Sequence, residues 1–469
     1  MTSVHRRVVA RLAAAVLAPG LVAAGALAGA TAAAADEQAA DPGGAAATLE
    51  GLTTYDQAVL VEQDGEKKEI GAGLFQMTVD GGGTLKTYCI DIENPTVDKA
   101  RYEESGWDKS SLAGNPDAGK IRWILQNSYP QVDVGALESK LKVDLDEGTA
   151  AAGTQVAIWR FSDAANVTAS HPAAEKLADF LVDTARNVAE PKASLSLSPA
   201  AVSGKPGERL GPVTVDTNAG AVSVSTATGL TAGDAKVVDA NGEPVTTAAD
   251  GNELYFEVPE DAEPGSATAT VQASTTVPVG RAFTSVQVKS QTQILAGSTQ
   301  STVTANTTAH WAGEGPAPAV TAQKNCAEGG VDISVTNKGG KPFAFSLAGE
   351  RHEVAANGSQ TVTVPVSEDQ AYDITITGPG GFEKNFTGVL DCETRSSGGD
   401  EGTTTQTGGD TPAGDDTTDQ GGTDLAATGS DGNTPLIVGL AVGLVALGAV
   451  AMLIVRKRKP SAAASGSDD

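Results

Sequence analysis

A multidomain chain, with an N-terminal α+β domain, two all-β sandwich domains and a C-terminal transmembrane anchor, is the fold class that the sequence predicts. Three observations carry it. Residues 48–191 change from alternating to helical hydrophobic period part-way along, and residues 192–394 alternate Val, Thr and Ala with polar residues between Gly, Pro, Asn and Asp. Apolar segments with basic flanks stand near both termini.

A chain of 469 residues is too long for one small core. Its 59 acidic against 32 basic residues give a formal charge of −27. That balance excludes the basic footprint a nucleic-acid partner requires and favours solubility outside the cell. His5, His171, His310 and His352 have no metal-ligand spacing and no Cys-x-x-Cys occurs, so neither a metal nor a cofactor is expected.

Arg6, Arg7 and Arg11 precede or enter an apolar run from Val8 to Leu27, and Ala33-Ala34-Ala35 supplies a small-residue cleavage pattern. Residues 1–35 therefore read as a secretory signal peptide, with Pro19 and Gly20 interrupting the run against a permanent span. The small, polar stretch 36–47 reads as a disordered leader.

In residues 48–191, apolar alternation flanks Asp64-Gly65, a hairpin signal, and Gly81-Gly82-Gly83 turns the chain into a strand from Leu85 to Ile92. Cys89 lies on that strand, sharing a face with Leu85, Thr87 and Asp91. A short helix is predicted over Lys120 to Gln126, a second over Glu147 to Phe161 and a third over His171 to Ala189. Ala151, Gln155, Ile158 and Ser162 fall on one face of the second, so Gln155 can point at the sheet. Trp107, Trp123 and Trp159 can enclose an apolar site, although each also reads as core packing.

Cysteine usage singles out one residue. Cys326 and Cys392 bracket a late β-rich segment and can form a disulfide, which leaves Cys89 as the odd thiol of an exported chain. A lone cysteine is commonly a small buried hydrophobe. Its surroundings suggest more: Tyr88-Cys89-Ile90-Asp91 followed by Thr154-Gln155-Val156-Ala157 resembles the signature of bacterial thioester-domain surface adhesins, over roughly Thr48 to Pro191. The resemblance implies that the Cys89 and Gln155 side chains condense into an internal thioester; Tyr88, Asp91, Thr154 and Trp159 are candidate supporting residues, each of which also reads as packing or local hydrogen bonding.

The residue types suit that chemistry. A thiolate is a strong nucleophile near neutral pH, and a carboxamide has ammonia as a leaving group that can depart irreversibly. Such a site must stabilise an oxyanion, for which backbone amides near Cys89 or Gln155 are candidates. The resemblance implies a single-turnover, self-reactive module rather than an enzyme, with an amine-bearing surface ligand as partner. In a papain-like hydrolase or transglutaminase Cys89 would need a histidine, and His171, followed by Pro172, reads as a helix start. In complement-like thioester proteins Cys and Gln share one short motif, whereas here they occupy separate elements.

The strand patterns in 192–323 and 324–394 suggest two Ig-like β-sandwich stalk domains, and neither shows a nucleophile, base or metal cluster. Residues 395–424 are Gly, Thr and Asp-rich, suiting a flexible wall-spanning linker. Leu425-Ala426-Ala427-Thr428-Gly429 resembles a sortase sorting motif, with Ala426 replacing the commoner Pro. Residues 436–455 are an apolar run of about 20 residues, roughly 30 Å as a helix. A basic cytoplasmic tail, 456–469, opens with Arg456-Lys457-Arg458-Lys459. This order implies sortase and peptidoglycan as further partners and a Gram-positive cell-wall location.

Overall fold

The computed structural model describes residues 43–228 and 235–393. The expected signal peptide, most of the leader, the linker beyond Glu393, the sorting motif with Leu425, Thr428 and Gly429, the apolar span and the basic tail lie outside the described residues. Among the described residues no helix is long and apolar enough to cross a membrane.

β1 (Ala46–Val61) and β2 (Lys67–Val79) form a long antiparallel hairpin about Asp64-Gly65, where Gly65 adopts φ +85°. β3 (Thr84–Cys89) follows on the far side of β2. β4 (Arg101–Ser105) pairs with the first residues of β1, and β5 (Val167–Ala169) pairs with its other end. Between β4 and β5 lie α1 (Ala118–Gln126), α2 (Val134–Leu141) and α3 (Glu147–Ser162), and α4 (Pro172–Thr184) follows β5.

Three of these helices fall where their periodicity places them. α2 has no counterpart in the sequence reading, because its two turns bury only Leu137 and Leu141 and are set by the Asp133 side chain accepting from Ala136 N–H at 2.9 Å. α4 stops at Thr184, short of the expected Ala189. The following residues are committed elsewhere: Val188 N–H donates to Gly119 O, and Glu190 accepts from Trp107 N–H at 3.0 Å.

The next segment forms two facing sheets. One has the order β10 (Lys236–Val238), β12 (Glu253–Glu257), β8 (Arg209–Thr217), β6 (Leu195–Ser198). The other runs β11 (Thr247–Ala248), β9 (Val222–Thr228), β13 (Gly265–Thr275), β16 (Ser301–Trp311), β7 (Ala201–Gly204). β13 and β16 pair along their whole length, and the excursion between them supplies β14 (Ala282–Ser285) and β15 (Gln293–Ser298).

Those two strands join the first domain rather than the second. β14 pairs with β4, β15 pairs with β3, and β14 pairs with β15, so the ring β1–β2–β3–β15–β14–β4 closes on itself, with β5 attached outside. The sequence reading draws separate domains at 48–191 and 192–323; the structure instead gives them one continuous buried core from Ala45 to Trp311. The physical reason is the sheet edge: β3 and β4 would each present unpaired backbone groups, and a closed ring removes both edges. The start also differs. Ala46 and Ala47, assigned to the leader from composition, begin β1, and Ala45 and Ala47 are buried.

A buried ion-pair network pins the excursion. Arg281 Nε donates to Glu104 Oε1 at 2.9 Å and its Nη1 to Glu190 Oε1 at 2.7 Å, while Glu104 also accepts from the N–H groups of Ala45 and Ser194. The Glu104 side chain is 1% exposed.

The last segment forms a second pair of sheets around its own core: β17 (Pro318–Asn325), β18 (Gly330–Asn337), β21 (Gly358–Pro365), facing β20 (Glu350–Val354), β19 (Phe343–Leu347), β22 (Gln370–Thr377), β23 (Glu383–Leu390). Cys326, just after β17, is disulfide-bonded to Cys392, just after β23, with Cα atoms 5.3 Å apart.

Two substitutions test this architecture. Arg281→Met strands the buried Glu104 carboxylate and is expected to cost about 3–5 kcal/mol in chemical denaturation. Gly153 on α3 faces α4 so closely that a Cβ would lie 2.5 Å from Ala174 O and 3.1 Å from Leu177 Cβ. Gly153→Ala is therefore expected to lower stability by roughly 1–3 kcal/mol by forcing the helices apart, read as a reduced midpoint in the same assay.

Candidate functional site

β3 ends at Cys89, and the manner of its ending builds the site. Ile90 N–H donates to Thr292 O, on the chain entering β15. Because neighbouring residues of a strand present their backbone groups to opposite sides, Cys89 offers its N–H and C=O to the β2 side. There the β2–β3 ladder has already stopped, at Phe75 opposite Thr87, since β2 continues along β1 instead. Two buried backbone groups are left without a strand partner.

The Gln155 side chain takes that place. Its Oε1 accepts from Cys89 N–H at 2.9 Å, and its Nε2 donates to Cys89 O at 2.8 Å. Gln155 and Cys89 are both fully buried, and the thiol is free. The carboxamide oxygen, where negative charge develops if a nucleophile adds to the carbon, thus already has an N–H donor; this is the backbone amide that the sequence could suggest only as a class.

α3 can deliver Gln155 because small residues let the helix sink into the domain. Asp146 caps its N-terminus, accepting from Thr149 N–H at 2.7 Å, and Thr149 to Trp159 are all buried. Thr154 Oγ1 donates to Ala150 O at 2.8 Å and also meets the Tyr88 phenol. Tyr88 OH donates to Tyr129 O at 2.8 Å, which fixes the strand just before Cys89.

The surroundings of the sulfur disfavour charge. Burial pushes the Cys89 thiol well above its ordinary range, and the Asp163 and Asp91 carboxylates push it further. The Trp159 indole, whose buried N–H has no partner of ordinary hydrogen-bond geometry, and the Asp91 N–H, 3.2 Å from Sγ, act the other way. Asp163 was not singled out in the sequence. Burial raises its carboxyl to about 7, while it accepts from Ile92 N–H at 2.9 Å and from Ser162 Oγ. Its position one residue past α3, as the C-cap, carries no signal in the sequence that distinguishes it from a solvated Asp.

Of the residues anticipated, Cys89, Gln155, Tyr88, Asp91, Thr154 and Trp159 lie together. Trp107 and Trp123 do not complete an enclosure: both are only partly buried, and the Trp107 indole donates to Gly280 O at 2.8 Å. His171 caps α4, its Nδ1 accepting from Ala173 N–H at 3.2 Å, and is not among the groups acting on Cys89.

Asp91 belongs to a second group. Its Oδ2 accepts from Asn94 Nδ2 at 2.7 Å, and the same amide reaches Asp369 Oδ1 at 3.3 Å. Asp391, between β23 and Cys392, accepts from Thr292 Oγ1. Burial raises Asp91 and also Asp391, the latter to about 7; the Asp391 carboxylate raises Asp91 further, and Glu368 and Asp369 do the same to Asp391. The segment closed by the disulfide therefore meets the loop that leaves the Cys89 strand and the chain entering β15.

Residues 86–187 match the family model described as "Thioester domain", and residues 318–389 match "Bacterial phospholipase C, C-terminal domain". None of the curated proteins matches the chain. Among solved structures, the Bacillus anthracis TIE protein is 14% identical, with 75% of this chain and 81% of that one covered and a TM-score of 0.26. The thioester domain of the Enterococcus faecium TIE86 protein is 16% identical, with coverage of 57% and 96% and a TM-score of 0.26. A chaperone–tip adhesion subunit complex of Acinetobacter baumannii Csu pili is 13% identical, with coverage of 42% and 98% and a TM-score of 0.18. The family match spans both Cys89 and Gln155. Residues 86–187 of this chain are thus similar to the thioester domain family.

Proposed function

We propose that this chain is a wall-anchored surface adhesin in which Cys89 and Gln155 condense into an internal thioester that captures amines covalently. The observation that carries the reading is the reciprocal pair of hydrogen bonds between the Gln155 carboxamide and the Cys89 backbone. In the forming step Cys89 Sγ bonds to Gln155 Cδ, the Cδ–Nε2 bond breaks, and the thiol proton leaves with nitrogen as ammonia. In the capture step a neutral amine bonds to Cδ, the S–Cδ bond breaks, and the amine's proton restores the Cys89 thiol.

The electrostatics support storage. A pocket that disfavours a thiolate makes sulfur a poor leaving group unless a proton arrives with the attack, so adventitious hydrolysis is slow. The six-stranded ring and the sunken α3 keep bulk water away from the acyl carbon. An amine-bearing ligand such as a Lys side chain is the proposed partner, with sortase and peptidoglycan as partners of the anchor. Sorting would cleave between Thr428 and Gly429 on a Gram-positive surface. A cell-surface cysteine hydrolase or acyltransferase is the competing class, and the capping role of His171 weighs against it.

The mature chain is expected to be lighter than its sequence by one ammonia, beyond the two hydrogens of the disulfide. Cys89→Ala and Gln155→Ala should each abolish that deficit in intact-mass spectrometry. Methylamine should add its own mass to the condensed form and expose one alkylatable thiol. The rate should rise with pH, since a typical Lys amine, with pKa roughly 10.4, reacts only when neutral. Full sequence mass apart from the disulfide, with Cys89 freely alkylated after unfolding in amine-free material, would overturn the thioester. Many product equivalents per chain would establish the hydrolase instead.

A further inference from the structure

The carboxylate group behind Cys89 has the composition of a hard-cation site. Ligand oxygens of Glu368, Asp369 and Asp391 lie within 4.8 Å of one another. Asp91 and Asn94, from the loop leaving β3, border the group, because Asn94 Nδ2 bridges the Asp91 and Asp369 carboxylates. An acidic cluster alone means little, but here three oxygens are independently out of place. Asp91 Oδ1, Asn94 Oδ1 and Asp391 Oδ1 are buried without any hydrogen-bond partner, on side chains of residues 0%, 2% and 3% exposed.

Positive charge nearby does not balance them. Lys289 Nζ lies 2.9 Å from Asp369 Oδ2, at the more exposed end of the group. Lys324 interacts with Asp391 at longer range, and burial opposes its own charge while its Nζ meets Thr284 Oγ1 at 3.1 Å. Glu368 Oε1 is held by the N–H groups of Cys392 and Glu393, at 2.6 and 2.8 Å. Buried carboxylate oxygens of this number and spacing are ordinarily paired or coordinate a metal.

We propose that Glu368, Asp369 and Asp391 bind one calcium-class cation, beside Asp91 and Asn94, that clamps the disulfide-closed domain onto the loop leaving the strand that carries Cys89. The donor set is oxygen only, without His or Cys, which selects a hard cation. Its donors come from two separate chain segments, an irregular arrangement that suits the flexible coordination of calcium better than the near-octahedral demand of magnesium. The spacing rules for His and Cys applied to the sequence do not reach such a site.

Calcium chloride titrated into the chelator-treated full chain by isothermal titration calorimetry should show one ion bound, with a dissociation constant of about 10⁻⁴–10⁻³ M, as in extracellular modules. Thermal unfolding should shift upward in calcium, and less in magnesium at equal concentration. Asp369→Asn combined with Asp391→Asn should remove both the heat and the calcium shift. In chelator this variant should melt no lower than the parent, because buried like charges are gone, whereas a merely structural pair would be missed there. Glu62→Gln with Glu66→Gln, which disarms the exposed acidic group of Glu62, Asp64 and Glu66, should leave binding unchanged. Loss of binding in that control, or no binding to the parent, would overturn the site. The ammonia deficit is read separately by mass, so failure of the cation site and failure of the thioester are distinguishable.

Discussion

Two hydrogen bonds between one side chain and one backbone unit organise the thioester domain. Gln155 closes the gap that β2 leaves when it parts from β3, so the carboxamide is held in the register of a missing strand. Backbone groups buried without partners cost on the order of a hydrogen bond each. The same cost that makes the gap intolerable therefore fixes Gln155 beside Cys89, and the pair is positioned by the ordinary requirements of a sheet.

Much of the remaining structure serves that placement. The helix bearing Gln155 must run nearly fully buried, which small residues at 150–153 permit and the Gly153 contact with α4 requires. β3 must be held from its other side, and the partner for that edge is β15, carried by an excursion of the next domain and pinned by Arg281 to Glu104 and Glu190. What looks in sequence like a spacer is thus part of the wall of the site.

Charge is distributed with similar economy. Cys89 is surrounded by groups that oppose a thiolate, while Asp91, two residues on, turns its carboxylate away into the junction with the disulfide-closed segment. The strand carrying Cys89 and the contact with the disulfide-closed segment are consecutive stretches of one chain.

The sequence by itself determined the local features: the Asp64-Gly65 hairpin, the period change into helices, the span of α3, and the two motifs Tyr88-Cys89-Ile90-Asp91 and Thr154-Gln155-Val156-Ala157, which the fold brings together. These are legible because hydrophobic period, turn residues and short motifs act over a few residues. Only the tertiary structure decided which backbone amide faces the Gln155 oxygen, that β14 and β15 close the ring, that the Asp163 carboxylate acts on the Cys89 thiol, and that Asn94 links Asp91 to Asp369. Each depends on contacts between segments far apart in the chain, where composition and periodicity hold no register. A strand such as β14 reads the same whether it completes its own sheet or another domain's; the unpaired edges of β3 and β4 settle the choice, and those exist only once the fold does.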